Sequence, residues 1–155
     1  MADVALTFLS DSRAFLTEQY LPSIERCVAR LTDEQIWSRP NEASNSIGNL
    51  LLHLAGSTRY WATEMIGSTA IGRVRQKEFD QREIIPTPEL LTKLRAAVEE
   101  TDLRLASLTG AQLLEVRKAR GEEFTVLWCV YHIVEHFSYH TGQIQSMTKA
   151  FIGSG

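Results

Sequence analysis

Four separate stretches of this chain repeat their apolar residues at steps of three and four, and none alternates convincingly with period two. The first runs from Asp3 to about Leu31 and carries Phe8, Leu9, Phe15, Leu16, Ile24 and Val28. Pro22 falls inside it and predicts a kink or a split into two pieces on nearly one axis, because proline removes a helical donor and crowds the preceding turn. The second opens at one of the serines at 44 to 46, uses Ile47, Leu50, Leu51, Leu54, Thr58, Trp61 and Met65 as its stripe, and stops after Ile66 at Gly67. The third is expected from Thr87 as cap, with Pro88 and Glu89 in its first turn, to about Leu105. The last starts near 122–125 and continues to about Ala150. Long stripes in one short chain can be buried only against each other, so the expected architecture is an all-α four-helix bundle in one domain over residues 1–155.

The connections are uneven. Thr32 to Gln35 reads as a capping box that opens a short helix toward Trp37. Residues 68–86 have no sustained period and are rich in charge, including Arg73, Arg75, Glu78 and Arg82, as befits a long crossover between the second and third long helices. Leu108 to Gly121 holds two glycines and the basic residues Arg117, Lys118 and Arg120, and reads as an irregular, solvated connection.

Charge and cysteines narrow the function classes. A formal net charge of -3 gives no electrostatic reason to expect a nucleic-acid partner, and no apolar run approaches a membrane span. The first residues carry Asp3 and Asp11 with no basic residue ahead of their apolar part, unlike a secretory signal. Cys27 and Cys129 lie far apart in no metal or redox spacing, which fits a reducing cytoplasm, with Cys129 a small buried hydrophobe.

The chemistry concentrates in the last stretch. Three of the chain's 4 histidines, His132, His136 and His140, recur every fourth residue there, and the other is His53. On a helix these form one ladder, but a rise of about 1.5 Å per residue sets His132 and His140 about 12 Å apart along the axis. One ion can therefore take His132 with His136, or His136 with His140, and needs a third ligand from elsewhere. His53 lies beside the stripe of the second helix, on a polar line with Asn49, Ser57, Tyr60 and Glu64 that suggests a helix bordering a cavity. Imidazoles at this spacing suit zinc or nickel, and three of them leave a coordination position for water or a thiol. Tyr139 and Gln143 share the ladder's face and are candidates to orient ligand or substrate, and Glu135 at its edge is a candidate base. Trp61 and Trp128 read as core, and Gly142 as a point of close approach by a neighbouring backbone or a ligand, because glycine in a helix costs about 1 kcal/mol relative to alanine.

The run from Asn45 to Gly56, containing His53-Leu54, together with the later Val134 to Ile144, containing His136-x-x-x-His140-x-Gly142-Gln143, resembles the DinB-like superfamily. That resemblance implies a four-helix bundle of up-down-down-up connectivity with 68–86 as its crossover. It also implies a metal triad of His53, His136 and His140, with His132 outside it. The superfamily includes metal-dependent transferases that use low-molecular-weight thiols such as bacillithiol or mycothiol, and many members form homodimers. The implied protein is a metal-dependent thiol S-transferase or related hydrolase acting on a small molecule, or a non-catalytic metal-binding or small-molecule-binding stress protein.

Overall fold

The computed structural model describes residues 3–153. The N-terminal helical run has three parts: α1 (Val4–Ala14), a π-register segment (Phe15–Tyr20) and α2 (Leu21–Val28). Asp3 caps it, its carboxylate accepting from the N–H of Ala5 at 3.0 Å. The widened register explains how the run survives Pro22. The Leu21 N–H donates to the Leu16 carbonyl, five residues back, so the turn loosens just where the proline ring would crowd it. The short helix α3 (Asp33–Trp37) carries the expected capping box between Thr32 and Gln35.

Ser46 caps α4 (Ile47–Arg59) through a second box with Asn49, and the helix continues in π register over Tyr60–Ile66. The N–H of Gly67 donates to the Ala62 carbonyl at 3.0 Å and ends it. The crossover is not wholly irregular, since it holds the short helix α5 (Arg75–Asp80). Next, α6 (Thr87–Ala106) starts at the residue expected to cap it, one residue earlier than expected. Pro86 occupies the cap position, and the Thr87 hydroxyl and N–H both donate to Asp33 instead, tying α6 to α3.

A turn of 3-10 helix (Gln112–Leu114) leads into a hairpin of β1 (Val116–Ala119) and β2 (Glu122–Thr125), then α7 (Val126–Ile152). The hairpin corrects the reading of 108–121 as an irregular connection and of the chain as free of strands. Its register pairs Val116 with Thr125 and Ala119 with Glu122, leaving the two-residue turn Arg120-Gly121. Both turn residues have positive φ, 54° and 81°, the combination that matches the twist of a tight hairpin. The two strands are too short for a period-two pattern to show.

The N-terminal run packs against α6 and α7, and α4 packs against the same two helices. Leu16, Ile24, Leu50, Leu51, Leu54, Leu94, Leu105 and Phe137 are fully buried where they meet. Each such side chain contributes roughly 1.5–3 kcal/mol relative to exposure. Cys129 is buried among them. Among the described residues no helix is long and apolar enough to cross a membrane. Two expectations fail. Trp128, on the first turn of α7, is 38% exposed and packs against Phe124 of the hairpin at 4.4 Å. A Cβ on Gly142 would meet nothing within 4 Å, so no neighbouring backbone among the described residues explains that glycine.

Candidate metal centre

His53 on α4 and His136 and His140 on α7 face one another. The Nε2 of His136 lies 3.0 Å from Nε2 of His53 and 3.1 Å from Nε2 of His140. One ligand atom from each ring lies within 4.8 Å of the others, a grouping that could hold a metal ion. Ser46 and its box set where α4 starts, and the buried Leu50, Leu51 and Leu54 fix its rotation, so His53 points across the gap to α7. On α7 the buried Val130, Ile133, Phe137 and Ile144 do the same for His136 and His140.

Two of the three rings are held by acceptors at their far nitrogens. His53 Nδ1 is 2.9 Å from Glu78 Oε2, and His140 Nδ1 is 2.9 Å from Gln143 Oε1. Each Nδ1–H donates outward, which leaves the Nε2 lone pair of that ring directed inward. The Nε2 of His136 faces both lone pairs and could donate one proton to only one of them. At least one inward lone pair is left without a proton partner, which is the donor set a cation would complete. The two separations from His136 also fit, because two nitrogens each about 2.0–2.1 Å from one ion lie roughly 3–3.4 Å apart for angles between square and tetrahedral.

Electrostatics favour the same state. Burial, reinforced by His140, His53, His132 and Arg73, lowers the His136 pKa to about 3. Burial also lowers that of His140, although the Gln143 hydrogen bond opposes it. These rings therefore offer lone pairs near neutral pH rather than charge.

Glu78, on α5, reads in the sequence as one charge in a charged segment. Its carboxylate is 11% exposed and accepts from Arg73 Nε at 2.7 Å and Arg73 Nη2 at 2.9 Å as well as from His53. Burial raises its pKa, but the hydrogen bonds from Arg73 and His53 outweigh it and leave the group below its usual range. Arg73 Nη2 also lies 3.3 Å from His53 Nδ1; the shorter contact to a carboxylate decides that this nitrogen carries the proton. The polar line of α4 thus seats the crossover segment. The Asn49 amide donates to the carbonyls of Glu78 and Gln81, and Glu64 accepts from the Ile71 N–H.

His132 stands apart from the cluster. Its ring stacks on Trp128 at 4.9 Å, meets the edge of Trp61 at 4.9 Å, and its Nδ1 is 2.8 Å from Glu135 Oε1. With Phe124 these rings form an aromatic wall beside His136, whose ring centroid is 5.4 Å from that of His132. Trp61, Trp128 and His132 touch one another directly, and the strand residue Phe124 extends the wall by packing against both tryptophans, a part that no strand signal in the sequence foretells. Gln143 bonds His140, Glu135 bonds His132, and Tyr139, 68% exposed, sets its ring edge-on to His140 at 5.1 Å.

A solved conserved protein from Enterococcus faecalis superposes with a TM-score of 0.74 at 18% identity, covering 99% of this chain and 100% of that one. A DinB-like protein from Bacillus subtilis gives 0.70 at 20% identity, covering 96% of this chain and 93% of its own. A DinB-like protein from Bacillus cereus gives 0.66 at 14% identity over 84% and 85%. At such identities these likenesses speak for the fold alone. No curated protein matches the sequence. The family model described as the DinB superfamily matches residues 17–144, most of the chain, and the protein therefore belongs to the DinB superfamily.

Proposed function

We propose that this protein is a divalent-metal-dependent enzyme in which His53, His136 and His140 hold the ion, zinc or nickel by donor type, and that it transfers a low-molecular-weight thiol to a small electrophile. One observation carries the metal reading: a nitrogen from each of three imidazoles lies within 4.8 Å of the others, with the outer nitrogens of two rings already tied to acceptors. The proposed frame is a single four-helix-bundle domain of up-down-down-up connectivity, in which the crossover 68–86 closes over the outer edge of His53.

The chain's own contribution is positioning. Gln143 holds the His140 ring by its Nδ1–H, and burial keeps His136 unprotonated. Tyr139 presents an exposed ring at the rim, where it can bear on a substrate. A cation bound there supplies Lewis acidity, lowering the pKa of a thiol or water taken into its remaining position. The thiol is the narrower part of the reading and rests on the resemblance of His53 and the His136 to Gln143 run to thiol transferases.

A second reading, a non-catalytic metal-binding protein, is favoured by a specific observation. The acid and amide groups nearest the cluster are each committed: Glu78 to Arg73 and His53, Glu135 to His132, Gln143 to His140. None is left to shuttle a proton.

Metal analysis and thermal melts of protein made without a metal-binding tag test the site. Zinc at about 100 times its Kd stabilises by roughly 2.7 kcal/mol, which in a domain of this size is a rise in Tm of about 5–11 °C. His136→Ala should abolish that rise and His132→Ala should largely spare it. No rise in the parent protein, or equal loss in both variants, refutes the assignment. Incubation of the metal-loaded protein with a panel of cellular thiols and electrophiles then separates the two readings: adducts whose formation stops on chelation support transfer, and none supports the binding protein.

A further inference from the structure

We infer that Glu78 is a positioning residue of the metal centre, and that through it the crossover helix α5 and the ion stabilise one another. The inference rests on reading the triad as a metal site, and goes beyond it by assigning work to a segment that supplies no ligand.

Four observations meet at Glu78. Its carboxylate fixes which nitrogen of His53 carries the proton, so the tautomer that aims Nε2 at the cluster depends on it. Arg73 grips the same carboxylate through two nitrogens and keeps it ionised and oriented. The backbone of α4 is cut away to admit it, since a Cβ on Gly56 would lie 2.1 Å from Glu78 Oε1 and 3.0 Å from its Cδ. Glycine inside a helix is unfavourable, and here the missing methyl is the seat of the carboxylate.

The remaining observation concerns what holds α5. The helix has only 6 residues, none of them buried, so neither its own hydrogen bonds nor the core secures it. It is latched by the Asn49 amide, by Phe79 packed on the His53 ring at 4.8 Å, and by Glu78. Two of these contacts converge on His53. Ordering His53 by an ion therefore orders the latch, and losing the latch loosens the ligand, as linkage requires.

Zinc titration calorimetry of the whole protein tests this, with Glu78→Gln as the main variant and Gly56→Ala as a second that expels the carboxylate without changing it. Both should bind zinc about 10- to 100-fold more weakly than the parent. The visible absorption spectrum of bound cobalt should shift in both, while the metal-free proteins keep their helical signal. In the parent, zinc should slow amide exchange across residues 75–80; in Glu78→Gln that protection should shrink. Unchanged zinc affinity in both variants overturns the role of Glu78 while leaving the triad in place. Weaker binding that merely tracks a lower melting temperature of the metal-free protein, with an unshifted cobalt spectrum, also overturns it. Failure of the parent to bind zinc at all removes the metal reading itself, a result distinct from either.

Discussion

Lowering the pH of the metal-free protein should destabilise it in a window that belongs to His136. The folded pKa of this ring is lowered to about 3 from an ordinary 6.5, chiefly by burial. Between those values the unfolded chain binds a proton that the folded chain refuses, so stability rises with pH and is lost as pH falls from 6.5 toward 3. A fully expressed difference is worth about 1.4 kcal/mol per pH unit. His136 is only partly shielded from solvent, so roughly half of that is the working expectation. From pH 6.5 to 5.0, where most carboxylates hold their charge, the loss should come to about 1 kcal/mol from His136. His140, also lowered by burial, acts with the same sign. The assay is urea unfolding of EDTA-treated protein at four pH values across that window, for the parent and for His136→Ala. Absolute stabilities will differ for other reasons, so the slopes are compared. The variant should be flatter by roughly 0.7 kcal/mol per pH unit. Parallel slopes would show that His136 titrates normally in the fold and would refute the placement of an uncharged imidazole in the cluster.

Two glycines on the long helices should respond in opposite directions. Gly48→Ala should destabilise by about 1–3 kcal/mol in urea unfolding, because the new methyl would sit 2.6 Å from Cε2 of the Trp37 indole, a rigid ring whose Nε1–H is tied to the Ile85 carbonyl at 2.9 Å. Unchanged stability would mean that the ring can give way. Gly142→Ala should stabilise by up to about 1 kcal/mol, since nothing lies within 4 Å of the added carbon and alanine is the better helix former. A loss there would show that α7 is approached by something outside the described residues.

Much of the helical plan was legible because its signals are local. The box at Thr32, a serine cap within 44–46, the stop at Gly67 and a start within 122–125 are each completed by residues within three to five positions, so reading them needs no partner from elsewhere. The failures share the opposite cause. Thr87 looked like a cap until Asp33, 54 residues away, claimed its hydroxyl. Trp128 reads as core by residue type, but it packs against Phe124 of β2 and stays 38% exposed. The π segments are equally hidden, because a change of hydrogen-bond register leaves composition untouched while turning every residue that follows.

The candidate site divides in the same way. The sequence by itself determined that His136 and His140 share a helical face, since the spacing of four is a property of the helix alone. It also put His53 on a second amphipathic helix. Only the tertiary structure decided that the three rings meet, because that depends on how α4 and α7 pack, 83 residues apart in the chain. It alone decided that Glu78, a surface charge by every local criterion, is folded back against His53 into the notch left by Gly56. Contacts between residues far apart in sequence arise from the burial of whole helix faces, and no local pattern encodes them.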